Sequence, residues 1–221
     1  DLFGVELRRV DVLVWHDDVV AYEVVEGERA LGRVYLDLHP REAKYKHAAV
    51  FGVRPTKRLA DGSRVLPVCA LVCNFPKPGG AAPALLLHEE VVTFFHELGH
   101  VLHQLLSETE LASFAGTATT RDFVETPSQT FEEWAFRREA LDLFARHFET
   151  GARIPDELLG ALLRARGFGR ALATRPWVAG VAPVETNIVI FRLVPEASAE
   201  ALVAHLAAAG VRALAIAEGT V

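Results

Sequence analysis

Residues 88–106 read HEEVVTFFHELGHVLHQLL, and this stretch decides both the fold and the chemistry around it. Apolar side chains recur every three or four positions, which predicts one amphipathic helix over His88–Leu106. At 3.6 residues per turn, His96 and His100 lie one turn apart on the same face of that helix. Both imidazoles can therefore reach a single metal ion.

His96, Glu97 and His100 form the pattern HExxH, in which two histidines bind zinc and the glutamate acts as a general base. Structural and catalytic zinc ions take about four ligands, so two histidines leave room for a third protein ligand and a water molecule. Glu97 is placed to accept a proton from that water. Five-residue matches also arise by chance on ordinary amphipathic helices, so the motif alone leaves a purely structural helix open.

The third ligand must come from another part of the chain. His103 follows on the same helix face, but seven residues of helix from His96 span about 10 Å, too far for both rings to reach one tetrahedral ion. Glu125 is the better candidate, and a solvated helix carboxylate is its alternative. Glu132 lies two turns beyond Glu125 and is predicted to hydrogen-bond a ligand histidine.

The remaining segments predict an α+β protein. A β-hairpin is expected over Val19–Leu38 around Glu26-Gly27-Glu28, a further strand over Leu66–Asn74, and helices over Thr120–Glu149 and Pro155–Arg175. After Pro176 we expect a linker to residue 185, a strand over 186–194, a helix over 198–210 and a strand over 211–219. We therefore predict two domains, residues 1–175 and a strand-helix-strand segment at 176–221.

Composition narrows the function classes. The 221 residues are 51% hydrophobic with a net charge of −6, and the 23 lysines and arginines are scattered, which argues against a nucleic-acid partner. No apolar run is long enough for a membrane span, and the first residues lack a signal-peptide pattern, so a cytoplasmic location is expected. Cys69 and Cys73 are expected to be buried small hydrophobic residues rather than metal ligands.

Three segments resemble the thimet oligopeptidase family, which includes oligopeptidase A and bacterial dipeptidyl carboxypeptidase: FHELGH at 95–100, FAGT at 114–117 and DFVETPSQTFEEW at 122–134. The upstream stretches 32–52 and 66–78 are similar too, so the resemblance covers about residues 2–174. It implies that His96, His100 and Glu125 bind one Zn²⁺ per chain, with Glu97 as the base. The implied fold is a mainly helical, zincin-like core with a small sheet.

The resemblance also implies that short peptides are the substrates. A peptide is expected to pair antiparallel with the backbone of Ala70, Leu71, Val72, Cys73 and Asn74, a recognition mode that tolerates most side chains. Hydrolysis by a zinc-activated water is the leading prediction. Choice of peptide sequence and of endopeptidase or dipeptidyl-carboxypeptidase action is left open.

Two departures from the family support a rival prediction. Family members are much longer, and they carry an oxyanion-stabilising segment rich in Gly, His and Tyr that nothing after Arg175 resembles. The rival is a catalytically impaired zinc-binding or peptide-binding module, and a homo-oligomer is expected if a partner subunit completes the cleft. Residues 182–221 resemble the tail of a threonine aldolase, but no lysine follows Lys77, so pyridoxal-phosphate chemistry is not expected.

Overall fold

A computed structural model describes residues 3–79, 83–184, 186, 188–209 and 212–215. The chain divides into two compact units, Asp1–Arg153 and Ile154–Val221. Helices combine with a mixed sheet, which confirms the α+β class. The predicted domain boundary after residue 175 stays a prediction.

The first unit contains a five-stranded mixed sheet in the order β1-β2-β3-β7-β4 and a separate two-stranded hairpin, β5-β6. Strands β3 and β7 run parallel, and the other neighbours in the large sheet pair antiparallel. The strands are β1 (Glu6–Val10), β2 (Val20–Glu26), β3 (Arg29–Asp37), β4 (Ala49–Arg54), β5 (Lys57–Arg58), β6 (Arg64–Val65) and β7 (Val68–Val72).

The predicted hairpin is confirmed as β2 and β3, which pair antiparallel across a short turn. Gly27 occupies that turn with a φ of +59°, a left-handed conformation that glycine adopts without a Cβ clash. The predicted strand over Leu66–Asn74 is confirmed as β7. Its five residues are all buried, as expected for a strand with neighbours on both sides.

The long predicted helix is confirmed as α1 (His88–Leu105). Its start is capped by Glu90, whose carboxylate accepts a 2.7 Å hydrogen bond from the Leu87 N–H. Helix α1 packs on the sheet, and the buried core they share consists of Val24, Val34, Cys69, Leu71, Cys73, Phe75, Val101 and Leu105. Both cysteines are free and buried there, as expected.

The helical character predicted over Thr120–Glu149 is confirmed for most of residues 121–144, but the segment is not one continuous helix. The segment forms α2 (Arg121–Val124), α3 (Thr126–Glu132), a 3₁₀ turn at Glu133–Phe136 and α4 (Arg138–Phe144). Pro127 lies in the first turn of α3, where its missing N–H costs no helical hydrogen bond. Arg137 is extended and separates the 3₁₀ turn from α4.

The second unit contains α5 (Asp156–Ala173), β8 (Val178–Val181), β9 (Phe191–Leu193) and α6 (Ala199–Ala208). The expected linker is corrected, because it contains β8, which pairs antiparallel with β9. The final predicted strand is not seen at 212–215, and its other residues lie outside the described part of the chain. Among the described residues, no helix combines the length and the apolar character that crossing a bilayer requires.

Candidate metal centre

Helix α1 presents His96 and His100 side by side. Their ring centroids are 4.9 Å apart and the rings are nearly perpendicular, at 81°. This spacing follows from the four-residue separation on a regular helix. It leaves both Nε2 atoms directed to the same side.

Glu125 lies opposite the two histidines, at the junction where α2 ends and α3 begins. Its Oε2 is 3.3 Å from Nε2 of His96 and 3.1 Å from Nε2 of His100. Within the described part of the chain, these three residues form the one group of metal-ligating side chains whose donor atoms all lie within 4.8 Å of one another. The structure thus brings the three predicted ligands together, and the group has the composition of a metal site.

Glu132 contacts His96 from the other side. Its Oε1 is 2.7 Å from His96 Nδ1, and because a carboxylate is an acceptor, Nδ1 carries the hydrogen and donates it. The lone pair of the neutral ring is then on Nε2, which faces His100 and Glu125. The predicted contact between Glu132 and a ligand histidine is present.

Ser128 was not predicted as part of this site. Its hydroxyl donates a hydrogen bond of 2.9 Å to Glu125 Oε2, and the backbone O of Glu125 is also 2.9 Å away. This hydrogen bond lowers the pKa of Glu125, with smaller contributions from His100 and His96, although burial acts in the opposite direction. In the sequence, Ser128 could have been found from its three-residue spacing from Glu125, because helical residues at this spacing have neighbouring side chains.

Glu97 is buried, with 8% of its surface exposed. Burial raises the pKa of its carboxyl, and the nearby His96 ring and the Val50 backbone oppose that rise. A carboxylate with a raised pKa is a stronger base than an exposed glutamate. The residue predicted as the base therefore has an environment suited to proton transfer.

His100 and His103 differ in their surroundings. Burial lowers the pKa of both rings and favours their neutral form, which is the form that binds metal. His103 is not part of the metal-binding group, and its ring lies against Phe123 at a centroid distance of 6.0 Å.

The structure places the predicted peptide contact at Ala70–Asn74 in and just after the inner strand β7, and the contact itself stays a prediction. Ala70, Leu71 and Val72 pair with β3 on one side and β4 on the other, so their backbone offers no free edge. The Cys73 N–H donates to Asp37 O, and the Asn74 side chain donates to Tyr45 O. The free edge next to β7 belongs to β4, whose Val50 contacts Glu97.

Comparison with known sequences identifies the family to which this site belongs. Residues 1–188 match the sequence pattern of peptidase family M3, and this range includes α1 and α3 with all the residues described above. The chain belongs to peptidase family M3.

Curated relatives agree with this assignment. The M3 chain is 41% identical over 163 residues to thimet-like oligopeptidase of Dictyostelium discoideum, and 42% identical over 167 residues to saccharolysin of Saccharomyces cerevisiae. It is 42% identical over 174 residues to oligopeptidase A of Escherichia coli. These alignments cover 72%, 73% and 77% of this chain but only 24%, 24% and 26% of the relatives. The M3 chain thus spans about a quarter of the length of these relatives.

The family match extends the resemblance expected from the sequence. It reaches residue 188, beyond the third predicted helix and through β8. The similarity of the C-terminal end to a threonine aldolase tail stays a prediction.

Proposed function

We propose that this chain binds one zinc ion and hydrolyses short peptides as a metallopeptidase. The observation that carries the proposal is the convergence of two imidazole nitrogens and one carboxylate oxygen beside the buried Glu97. Membership of peptidase family M3 gives the reaction class, since its relatives are named as peptidases.

The donor atoms fit a zinc ion. Two donors each about 2.0 Å from a tetrahedral ion lie about 3.3 Å apart. The distances from Glu125 Oε2 to the two Nε2 atoms, 3.3 and 3.1 Å, agree with that value. His96, His100 and Glu125 would hold the ion, and three protein ligands leave one position for water, as in catalytic zinc sites.

Zinc, when bound, supplies Lewis acidity that polarises a carbonyl and lowers the pKa of a coordinated water to about 7. The protein supplies the proton transfers. A carboxylate oxygen of Glu97 takes a proton from the attacking water molecule, and the oxygen of that water bonds to the scissile carbonyl carbon. Glu97 then gives that proton to the amide nitrogen as the C–N bond breaks, which regenerates the carboxylate and releases an acid and an amine.

Strand β4 is the proposed peptide-binding edge. It is the outer strand next to β7, and the backbone of Val50 helps to stabilise the Glu97 carboxylate. An extended peptide that pairs with this edge places a backbone carbonyl near the base without depending on particular side chains. We therefore move the predicted substrate contact from β7 to β4.

A second candidate function is binding of zinc or peptide without turnover. Tyr22, Tyr35 and Tyr45 are the chain's three tyrosines, and all precede α1, whereas the family resemblance implies oxyanion-stabilising tyrosines after the third helix. Loss of one oxyanion donor typically lowers turnover by about 10²- to 10³-fold.

Hydrolysis of an internally quenched short peptide, measured beside the zinc content of the same samples, separates these functions. We expect wild type and Glu149→Ala, which removes an exposed glutamate, to cleave the peptide. Glu97→Ala is expected to retain zinc and lose cleavage. Zinc binding without cleavage in wild type would support the second function, and a wild type that binds no zinc would contradict both.

A further inference from the structure

Helices α1 and α3 lie close together at Gly99, between the two histidines. A Cβ atom at this position would lie 2.5 Å from Ser128 Cα, 2.9 Å from Ser128 N and 3.0 Å from Pro127 O. All three are backbone atoms, which cannot move aside as the end of a flexible side chain can. Any side chain at residue 99 therefore forces α3 away from α1.

Because the two helices are this close, Ser128 is buried next to Glu125 of the metal-binding group. Ser128 is fully buried, at 0% exposure, whereas the Glu125 side chain is 45% exposed. The Ser128 hydroxyl donates to Glu125 Oε2, the same oxygen that faces both histidine Nε2 atoms. A buried, fixed donor thus holds the oxygen of a side chain that is otherwise half in solvent.

We infer that Ser128 is a positioning residue for the metal centre and that Gly99 is the contact that sets its position. The inference rests on the proposed function, since it concerns the same zinc ligands. A carboxylate oxygen has two lone pairs, so one can accept from Ser128 while the other faces the metal. Without the hydroxyl, the flexible Glu125 side chain loses entropy on each binding event, and affinity for the metal falls.

The direct test compares Ser128→Ala with Thr130→Ala. Thr130 also lies on α3, and its hydroxyl donates to the backbone O of Thr126, so both variants lose a hydroxyl bonded to helix backbone. Only Ser128 also holds a carboxylate oxygen. Zinc affinity is measured by competition with a chromophoric chelator, and the coordination geometry by the visible spectrum of the Co²⁺-loaded protein.

We expect Ser128→Ala to lose about 10-fold or more in zinc affinity, the range typical of residues that orient ligands. Its Co²⁺ spectrum should change as well. Thr130→Ala is expected to match wild type in both measurements, even if both variants melt at a lower temperature.

The second pair of variants tests the helix contact. Gly99→Ala is expected to weaken zinc binding at least as much as Ser128→Ala, because it displaces all of α3. Gly167→Ala is the matched control, since Gly167 also lies in a helix and a Cβ there meets nothing within 4 Å. This control should bind zinc as wild type does.

If Ser128→Ala keeps wild-type zinc affinity and an unchanged Co²⁺ spectrum, the inference is overturned, whatever happens to its melting temperature. This variant remains informative if Gly99→Ala fails to fold. A wild type that binds no zinc overturns the proposed function together with the inference, so the two failures can be told apart.

Discussion

His96 shows how one side chain connects the metal-binding group to the rest of the helix pair. Its Nε2 faces Glu125, and its Nδ1 donates to Glu132. The prediction of His96 followed from the HExxH spacing, and that of Glu125 from its acidic run and the family resemblance. Glu132 followed from helical periodicity, which places residues seven apart on one face. The three-residue spacing from Glu125 could have indicated the Ser128 contact, but its burial against Gly99 is a contact between two helices that no spacing within one helix reveals.

At the residue scale we predict that Glu132→Ala lowers zinc affinity by about 10- to 100-fold, because His96 loses the acceptor that fixes its tautomer and orientation. Competition with a chromophoric chelator measures the change. Glu149→Ala, on an exposed glutamate, is the control and should bind zinc as wild type does. Equal affinities in the two variants would contradict a role for Glu132 in orienting His96.

The two cysteines give a second prediction at this scale. Burial raises the pKa of both Cys69 and Cys73 to about 12, so neither forms a thiolate near neutral pH in the folded protein. A disulfide reagent at pH 8 should label no cysteine in native protein and two after unfolding in guanidinium. Rapid labelling of a native cysteine would show that β7 is accessible.

At the scale of secondary structure elements, β7 lies inside the sheet, between β3 and β4, and β4 is the outer strand. The run VCALV predicts a buried strand correctly, but its neighbours are set by pairing with distant segments. The local sequence pattern therefore predicts the strand but not which strands lie beside it in the sheet. The broken helical stretch after Thr120 has a similar origin, because Arg137 takes an extended conformation within an apparently helical pattern.

The edge position of β4 predicts the effect of proline at Gly52. The Val50 backbone lowers the pKa of Glu97, as an N–H facing that carboxylate does, and alternation along an antiparallel strand then directs the Gly52 N–H to the same side as that of Val50. Gly52→Pro removes that donor and should weaken binding of a short peptide to the Glu97→Ala variant by about 5- to 10-fold, as expected for one lost hydrogen bond.

Gly52→Ala is the matched control for this prediction. A Cβ at Gly52 lies 3.7 Å from its nearest neighbour, Gln104 Nε2, so alanine fits and retains the N–H. Calorimetric titration with one peptide measures both variants. Equal affinity for the two would exclude pairing at this edge.

At the scale of the whole molecule, a buried ionic group lies at one end of the sheet. The Asp37 carboxylate accepts hydrogen bonds from Trp15, Arg41 and Lys44, and Lys44 also donates to backbone carbonyls of His39 and Cys73. These contacts join the ends of β3 and β7 to the loop that precedes β4. The sequence pattern does not indicate this group, because Asp37 and Lys44 have the spacing of ordinary charged residues beside a strand.

This group predicts how stability depends on pH. Burial acts to raise the pKa of Asp37, but the hydrogen bonds from Arg41, Lys44 and Trp15 outweigh it and lower the pKa well below the ordinary value of 3.8. A carboxyl whose pKa is lower in the folded than in the unfolded protein stabilises the fold at pH values above its unfolded-state pKa. This stabilisation is lost as the pH falls from the unfolded-state pKa towards the folded-state pKa. Wild type should therefore lose stability below about pH 4.

Asp37→Asn tests this prediction in urea denaturation followed by circular dichroism. At pH 7 the variant should lose about 3–5 kcal/mol of unfolding free energy, because Lys44 is left buried without its charged partner. The difference in unfolding free energy between variant and wild type should become smaller as pH falls from 5 to 3. Glu6→Gln, whose partner Arg8 is exposed, should show no such change. A constant gap for Asp37→Asn would contradict the assignment.

The α+β class and the helix that carries the histidines could be predicted because their patterns are local and periodic. The pairing of β8 with β9 could not, since both strands are short and pair with each other over an irregular register. Strands as short as these give too little apolar pattern for their pairing to be predicted from the sequence.

The most direct test of the whole account is the zinc content of the purified, dialysed protein, measured by inductively coupled plasma mass spectrometry. We predict about one zinc per chain in wild type and in His205→Ala, which changes an exposed histidine on α6, and its loss in His100→Ala and Glu125→Ala. A wild type without zinc, or full zinc content in both ligand variants, would contradict the assignment of the metal centre.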